Sequence, residues 1–249
     1  MTRIASHRGG TLEFGDSTPH GFAATATMAL EEVEFDLHPT ADGAIVVHHD
    51  ATLDATTDMT GAIADMTLAE VKAATIRYGA GSHPMTLEEL CALYTGSHVN
   101  FRCEIKPGID GTPYEGFVAP VIAELERHSM LERTTFSSFL VASMDELKEA
   151  STRPRLWLVS PSVLRQLGPD VMIQTAVAHG IPEVGVHIDT ADAALMARVR
   201  AAGLDFGCWA AHSRAQITKA LDLGVKVFTT DRPTLAIAVR AEHRGGVYA

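Results

Sequence analysis

A chain of 249 residues has the length of one large domain or two small ones, and α/β barrels commonly fill about this length as a single unit. Hydrophobic residues make up 46% and charged residues 20%, and 20 Gly and 11 Pro lie scattered without period, which excludes disordered and collagen-like classes. No apolar run approaches the roughly 20 residues that cross a bilayer, so no membrane span is expected. Acidic residues outnumber basic ones 31 to 20, a formal charge of −11, so the surface repels polyphosphate and anionic lipid and a nucleic-acid partner is not expected. An anionic ligand must then have its charge met locally, by a metal ion or by basic groups in a cleft.

In chain order, β-branched runs alternate with segments of helical period, the pattern of βα units around a parallel sheet. Strands are predicted at 3–6, 32–38, 98–105, 134–138, 155–160, 183–188, 205–210 and 226–230. A helix is predicted over 114–128 from the stripe of Phe117, Val118, Val121, Ile122 and Leu125, and another over 191–202, ending at Gly203. The fold class is therefore α/β, a TIM (β/α)₈ barrel with a small insertion between the second and third barrel strands. The whole chain, 1–249, reads as one catalytic domain. The insertion, about 44–97, holds a short strand at 44–48 and two capping boxes, Thr67 with Glu70 and Thr86 with Glu89. Only the tail after His243 is expected to be unstructured. Cys91, Cys103 and Cys208 lack both metal-site spacing and disulfide density, and residues 1–8 lack the apolar stretch of a signal peptide, so a cytoplasmic location is expected.

In a TIM barrel the chemistry comes from the C-terminal ends of the strands, and these ends are rich in functional groups. The first carries His7 and Arg8, the second Glu34 and Asp36, the third Glu104 and Lys106, the sixth His187, the seventh Trp209 and the eighth Asp231. Glu34 and Asp36, two apart in an extended strand, share a face with α-carbons roughly 6.5 Å apart. The same alternation pairs Glu104 with Lys106 and turns Cys103 and Ile105 toward the helices. Taken singly, Glu34 or Glu104 is equally explained by a buried ion pair with Arg8 or Lys106. Taken together, three converging carboxylates call for a hard divalent cation, Mg²⁺ or Ca²⁺ or else Mn²⁺, with zinc disfavoured by the all-oxygen set. His7 and His49, the latter after the insertion's strand, are candidates for proton transfer across a phosphate. Of the other histidines, His38, His128, His179 and His243 read as packed or solvated, while His48, His83 and His187 stay open.

These residues, taken in order, resemble the glycerophosphodiester phosphodiesterase family. The likeness rests on His7-Arg8-Gly9; Glu34-Phe35-Asp36 followed by Thr40 to Gly43; Val47-His48-His49-Asp50; Pro84 to Glu89; Glu104-Ile105-Lys106-Pro107; and Thr229 to Pro233. It implies a metal-dependent hydrolase of glycerol and lipid metabolism that releases glycerol 3-phosphate and an alcohol from a small-molecule phosphodiester. It further implies that Glu34, Asp36 and Glu104 are metal ligands, that His7 and His49 are the acid/base pair, and that Arg8 and Lys106 hold the phosphate.

The chain departs from the family at two places. Asp16-Ser17-Thr18 stands where the family usually has Glu-Asn-Thr, which shortens the acidic reach by a methylene. Trp209-Ala210 stands where a tryptophan-threonine pair is usual, which keeps the flat wall and loses a hydroxyl. Asp16 and Trp209 are accordingly expected at the substrate, where alcohol choice is set. Glycerophosphocholine or glycerophosphoethanolamine is the leading substrate class. A sugar or opine-like phosphodiester on the same site is the alternative, and an inactive phosphodiester-binding relative is a third reading.

Overall fold

The computed structural model describes residues 1–245, and the barrel is the one the alternation predicts. Eight parallel strands lie in the order β1 (Arg3–His7), β2 (Glu32–Pro39), β5 (Asn100–Ile105), β6 (Thr134–Ser138), β7 (Arg155–Val159), β8 (Glu183–His187), β9 (Asp205–Trp209) and β10 (Val227–Thr230). Pairing of β10 with β1 closes the sheet. Offsets from the predicted bounds fall at strand ends, the third strand starting at Asn100 and the eighth at Val227. Outward residues such as Phe35, Phe101, Cys103, Phe136, Phe206 and Phe228 are buried in one cluster under the helices. The intervening residues point into the barrel, which is how an apolar alternation exposes Glu34, Asp36, Glu104 and Lys106 to its interior.

The helices are α1 (Thr11–Phe14), α2 (Pro19–Thr25), α3 (Leu68–Ala73), α4 (Leu87–Tyr94), α5 (Val118–Arg127), α6 (Val141–Ala150), α7 (Pro161–Ala178), α8 (Ala193–Ala201), α9 (Arg214–Leu223) and α10 (Pro233–Gly245). The first turn predicted for α5 is instead loop, and its Tyr114 turns to the site described below. α10 runs on past His243 to Gly245, and the rest of the expected tail, 246–249, lies outside the described residues. Among the described residues no helix is long and apolar enough to cross a membrane.

The departure from βα alternation is shorter than the predicted 44–97. Both capping boxes form, but α4, which the second one starts, packs against α2 and α5 with Leu87, Leu90, Cys91 and Tyr94 in the main core. It is the crossover helix of the second βα unit. What precedes it is the extra element: β3 (Ile45–Val47) pairs antiparallel with β2, and β4 (Met85–Thr86) with β3. Val46, Leu53, Ile63, Val71 and Ala74 give this segment a small core of its own. The capping box marked a true helix start; local capping chemistry carries no information about which layer the helix joins.

Candidate active site

Sheet register assembles the site. His7 of β1 is the partner of Glu34 on β2, and Asp36 of β2 is the partner of Glu104 on β5. Neighbouring strands run roughly 4.8 Å apart, so inward side chains in register must meet. One oxygen from each of Glu34, Asp36 and Glu104 lies within 4.8 Å of the others, and all three residues are buried. Glu34 Oε2, Asp36 Oδ2 and Glu104 Oε1 have no hydrogen-bond partner. Two of these oxygens face ion-pair partners, Lys106 and Arg8, and an all-oxygen trio of this span suits a hard divalent cation.

Two cations flank the trio, so ion pairing and convergence, alternatives in the sequence, coexist. Lys106 Nζ stands 3.1 Å from Glu104 Oε1 and 3.4 Å from Asp36 Oδ1, and Arg8 Nε stands 3.2 Å from Asp36 Oδ2. Burial, then the neighbouring carboxylates Asp36 and Glu104, push the Glu34 carboxyl well above its ordinary value. Burial likewise raises Glu104, against the pull of Lys106. Burial would also raise Asp36, but Lys106 and Arg8 outweigh it and hold that carboxyl below the usual range. The trio thus carries one more negative charge than its two partners neutralise when all are ionised.

The Arg8-Gly9 turn explains the opening motif. Arg8 itself is left-handed (φ 50°), and Gly9 (φ 77°) has no space for a side chain, since an added Cβ would come 3.0 Å from the Phe22 nitrogen. The turn sends the Arg8 side chain toward Asp36, where Asp16 Oδ2 accepts from its NH1 at 2.8 Å. Asp16 Oδ1 accepts from Ser17 Oγ at 2.7 Å. Asp16 therefore reaches the site through Arg8.

His49 arrives from the extra segment. The His48 N–H donates to the Asp36 carbonyl at 3.1 Å, folding β3 back over β2. His38 Nε2 donates to the His49 carbonyl at 3.1 Å and its Nδ1 accepts from the Tyr114 hydroxyl at 2.9 Å. Burial lowers His38 to about 4, which keeps this bridge neutral. His38 is packed, as read from sequence, and also braces His49. His49 Nδ1 donates to Asp50 Oδ1 at 2.6 Å, and burial lowers its pKa. The undecided histidines resolve as scaffold: His48 spans the Asp50 carbonyl and Thr56 Oγ1, His83 holds the Ala74 carbonyl, and His187 caps the Asp189 N–H and packs on Trp209. His128, His179 and His243 hydrogen-bond to Glu124, Asp145 and Asp222.

Two groups went unassigned in the sequence. Asp231 Oδ1 accepts from His7 Nδ1 at 2.5 Å, which leaves His7 Nε2 facing Glu34 at 3.8 Å. Burial would raise Asp231, but the hydrogen bond and charge of His7, with His212 and Arg8, together outweigh it and hold the carboxyl below its ordinary value. The signal was available, because β10 pairs with β1 through Ser6 and Thr230, setting the next residue beside His7. His212, three residues past Trp209, had no signal beyond lying at a barrel-strand exit, yet it lines the cavity with His7, His49, Phe139 and Trp209.

A closed parallel barrel whose C-terminal rim joins an acidic cation trio, two carboxylate-braced histidines and two basic side chains defines a hydrolase of phosphodiesters. Residues 7–235 match the glycerophosphoryl diester phosphodiesterase family model. The chain is 31% identical over 163 residues, 64% of its length and 66% of the relative's, to a glycerophosphodiester phosphodiesterase of Caldanaerobacter subterraneus subsp. tengcongensis. It is 28% identical over 97% of its length and 99% of the relative's to one of Bacillus altitudinis. A crystal structure from Agrobacterium tumefaciens, bearing a provisional glycerophosphoryl diester phosphodiesterase name, superposes with TM-score 0.97 at 86% identity over 98% of this chain and 99% of that one. The chain belongs to this family of metal-assisted glycerophosphodiester hydrolases.

Proposed function

We propose that the barrel mouth hydrolyses small glycerophosphodiesters to glycerol 3-phosphate and an alcohol, with Glu34, Asp36 and Glu104 holding one divalent ion and His7 and His49 exchanging protons across the phosphate. The observation that carries this reading is the trio of buried carboxylates, with one oxygen of each within 4.8 Å of the others, beside the two histidines and Arg8 and Lys106. When bound, the ion supplies positive charge to the phosphoryl group and acidifies a neighbouring glycerol hydroxyl. One histidine takes that hydroxyl's proton as its oxygen bonds to phosphorus, and the other protonates the departing alcohol oxygen. The cyclic phosphate so formed is opened by water, the proton traffic running in reverse. Arg8, held by Asp16, and Lys106 offset charge gathering on the phosphoryl oxygens. Trp209 supplies the wall opposite.

The test is release of phosphate monoester, glycerol 3-phosphate from glycerophosphocholine and glycerophosphoethanolamine and a sugar phosphate from sugar phosphodiesters, with and without chelator. Turnover that stops with chelator and returns with Mg²⁺, Ca²⁺ or Mn²⁺ supports the reading; binding of diester by metal-loaded protein without turnover refutes it. We also propose a reducing, cytoplasmic setting, supported by three buried free thiols, two of which, Cys91 and Cys208, burial pushes up to about 12.

A further inference from the structure

We propose that Trp209 and His212 form a wall of N–H donors that selects a neutral, hydroxyl-rich departing alcohol over one bearing an ammonium group; this deepens the function proposed above and rests on it. In the closed strand order β5 and β9 stand four strands apart, so Trp209 faces the barrel from the side opposite Glu104. A cavity of about 210 Å³ opens between them. With the phosphate held at Arg8 and Lys106 and the attacking glycerol arm at the acidic trio, the other ester arm meets the β9 wall.

That wall is unusual in what it leaves unbonded. Trp209 Nε1 is buried and has no hydrogen-bond partner. The indole is fixed edge-to-face by Phe139, at 5.6 Å between ring centres, and by His187, at 4.7 Å. His212 Nδ1 accepts the Asp231 backbone N–H at 3.0 Å, so in the neutral ring the proton must sit on Nε2. Burial, with His7 and His187 nearby, lowers the His212 pKa despite Asp231, which favours the neutral ring with its proton on Nε2. Ser137 Oγ, which also lines the cavity, lacks a partner too.

These groups ask for oxygen acceptors. Among the described residues lining the cavity, the only carboxylates are Glu34 and Glu104, both committed to the cation site, whereas Arg8, Arg102 and Lys106 all line it. An ammonium-bearing alcohol would find no free counter-charge there and would leave the N–H groups unbonded. A polyol satisfies both, and a site built to hydrogen-bond hydroxyls rejects alcohols lacking them because its own buried donors are then stranded.

The experiment compares kcat/KM for glycerophosphoglycerol and glycerophosphocholine in the wild type, Trp209→Phe, His212→Leu and His212→Gln. The wild type should prefer the polyol diester by about tenfold or more. Trp209→Phe and His212→Leu should each reduce that preference by about tenfold, and His212→Gln, which keeps an N–H donor, should restore most of it. Calorimetric affinity for glycerol 3-phosphate, which lacks the alcohol, separates loss of the wall from collapse of the phosphate end. Equal wild-type rates on the two diesters, or a preference unmoved in both Trp209→Phe and His212→Leu, overturn the donor wall. Turnover of neither diester at any metal overturns the glycerophosphodiester reading itself and takes this inference with it.

Discussion

Asp231→Asn is the sharpest test of how His7 is set for proton transfer. At 2.5 Å the ionised Asp231 accepts the His7 Nδ1 proton, fixing the ring so that Nε2 turns toward Glu34. Asparagine is nearly isosteric, so folding should survive, but its amide has no charge and can present N–H to Nδ1, which moves the histidine proton to Nε2. A hydrogen bond to a charged group contributes about 1.5–3 kcal/mol, and if His7 takes up or delivers a proton as proposed, the bond counts most while the ring is protonated, so about 10- to 150-fold should be lost from kcat. The assay is steady-state release of glycerol 3-phosphate at saturating metal, with metal affinity measured by calorimetry on the same samples. A kcat within about threefold of wild type would refute the bracing role. A parallel fall in metal affinity would show Asp231 acting on the acidic trio instead.

Glu104→Gln should abolish metal-dependent turnover while the fold persists; retained activity at full chelator sensitivity would remove Glu104 from the ligand set. His49→Ala should lower kcat by roughly a hundredfold or more with metal still bound, as calorimetry alongside kinetics will show. Arg102→Met should destabilise the fold by about 3 kcal/mol in urea melts, because it leaves the buried Glu32 and Glu183, 2.7 and 3.6 Å from the guanidinium, with only Arg3 and Lys226 to meet their charge. Glu34 and Glu104 titrate above their ordinary 4.5 in the fold, so the stability their protonation confers on the metal-free protein is full below that pH and lost as pH rises through the raised values. Asp36, held low, loses its contribution only as pH falls below its ordinary 3.8. A divalent ion replaces the missing protons, so its gain in Tm by calorimetry should be larger at about pH 8 than at about pH 5.

The interior beneath the site explains why these titrations matter. TIM barrels usually fill with layers of branched apolar residues. Here the layer below the trio holds Arg102, almost fully buried, between Glu32 and Glu183, with Arg3 and Lys226 closing the network from the barrel's other end. Arg102 Nε donates to Glu32 Oε2 at 2.7 Å, whereas its Nη1 and Nη2 and Glu183 Oε1 make no hydrogen bond, so the guanidinium meets Glu183 through charge. Ionic layers of this kind gain little stability over packed hydrocarbon, but they punish the loss of any one member. The acidic trio therefore rests on a floor that is already electrostatically committed, and its excess negative charge has to be met from the mouth.

Legibility from sequence followed from how far each constraint reaches. Period-two alternation sets the faces of β2 and β5, so Glu34, Asp36, Glu104 and Lys106 are readable from sequence as one inward group. Placing Asp231 beside His7, 224 residues apart, takes the closure of the barrel between first and last strands, which the fold class implies and no local pattern encodes. The reach of His49 depended on β3 folding antiparallel over β2, and its bracing by His38 and Tyr114 on a loop where helical periodicity had predicted a turn of helix. Asp16 is expected at the substrate because it stands where the family usually has Glu, and the fold adds what that position does not tell, that its two oxygens bond to Arg8 and Ser17. Spacing tells which side chains share a strand face; it does not tell which of two nearby charges a side chain will choose, because that choice is made by tertiary distances of a few tenths of an ångström.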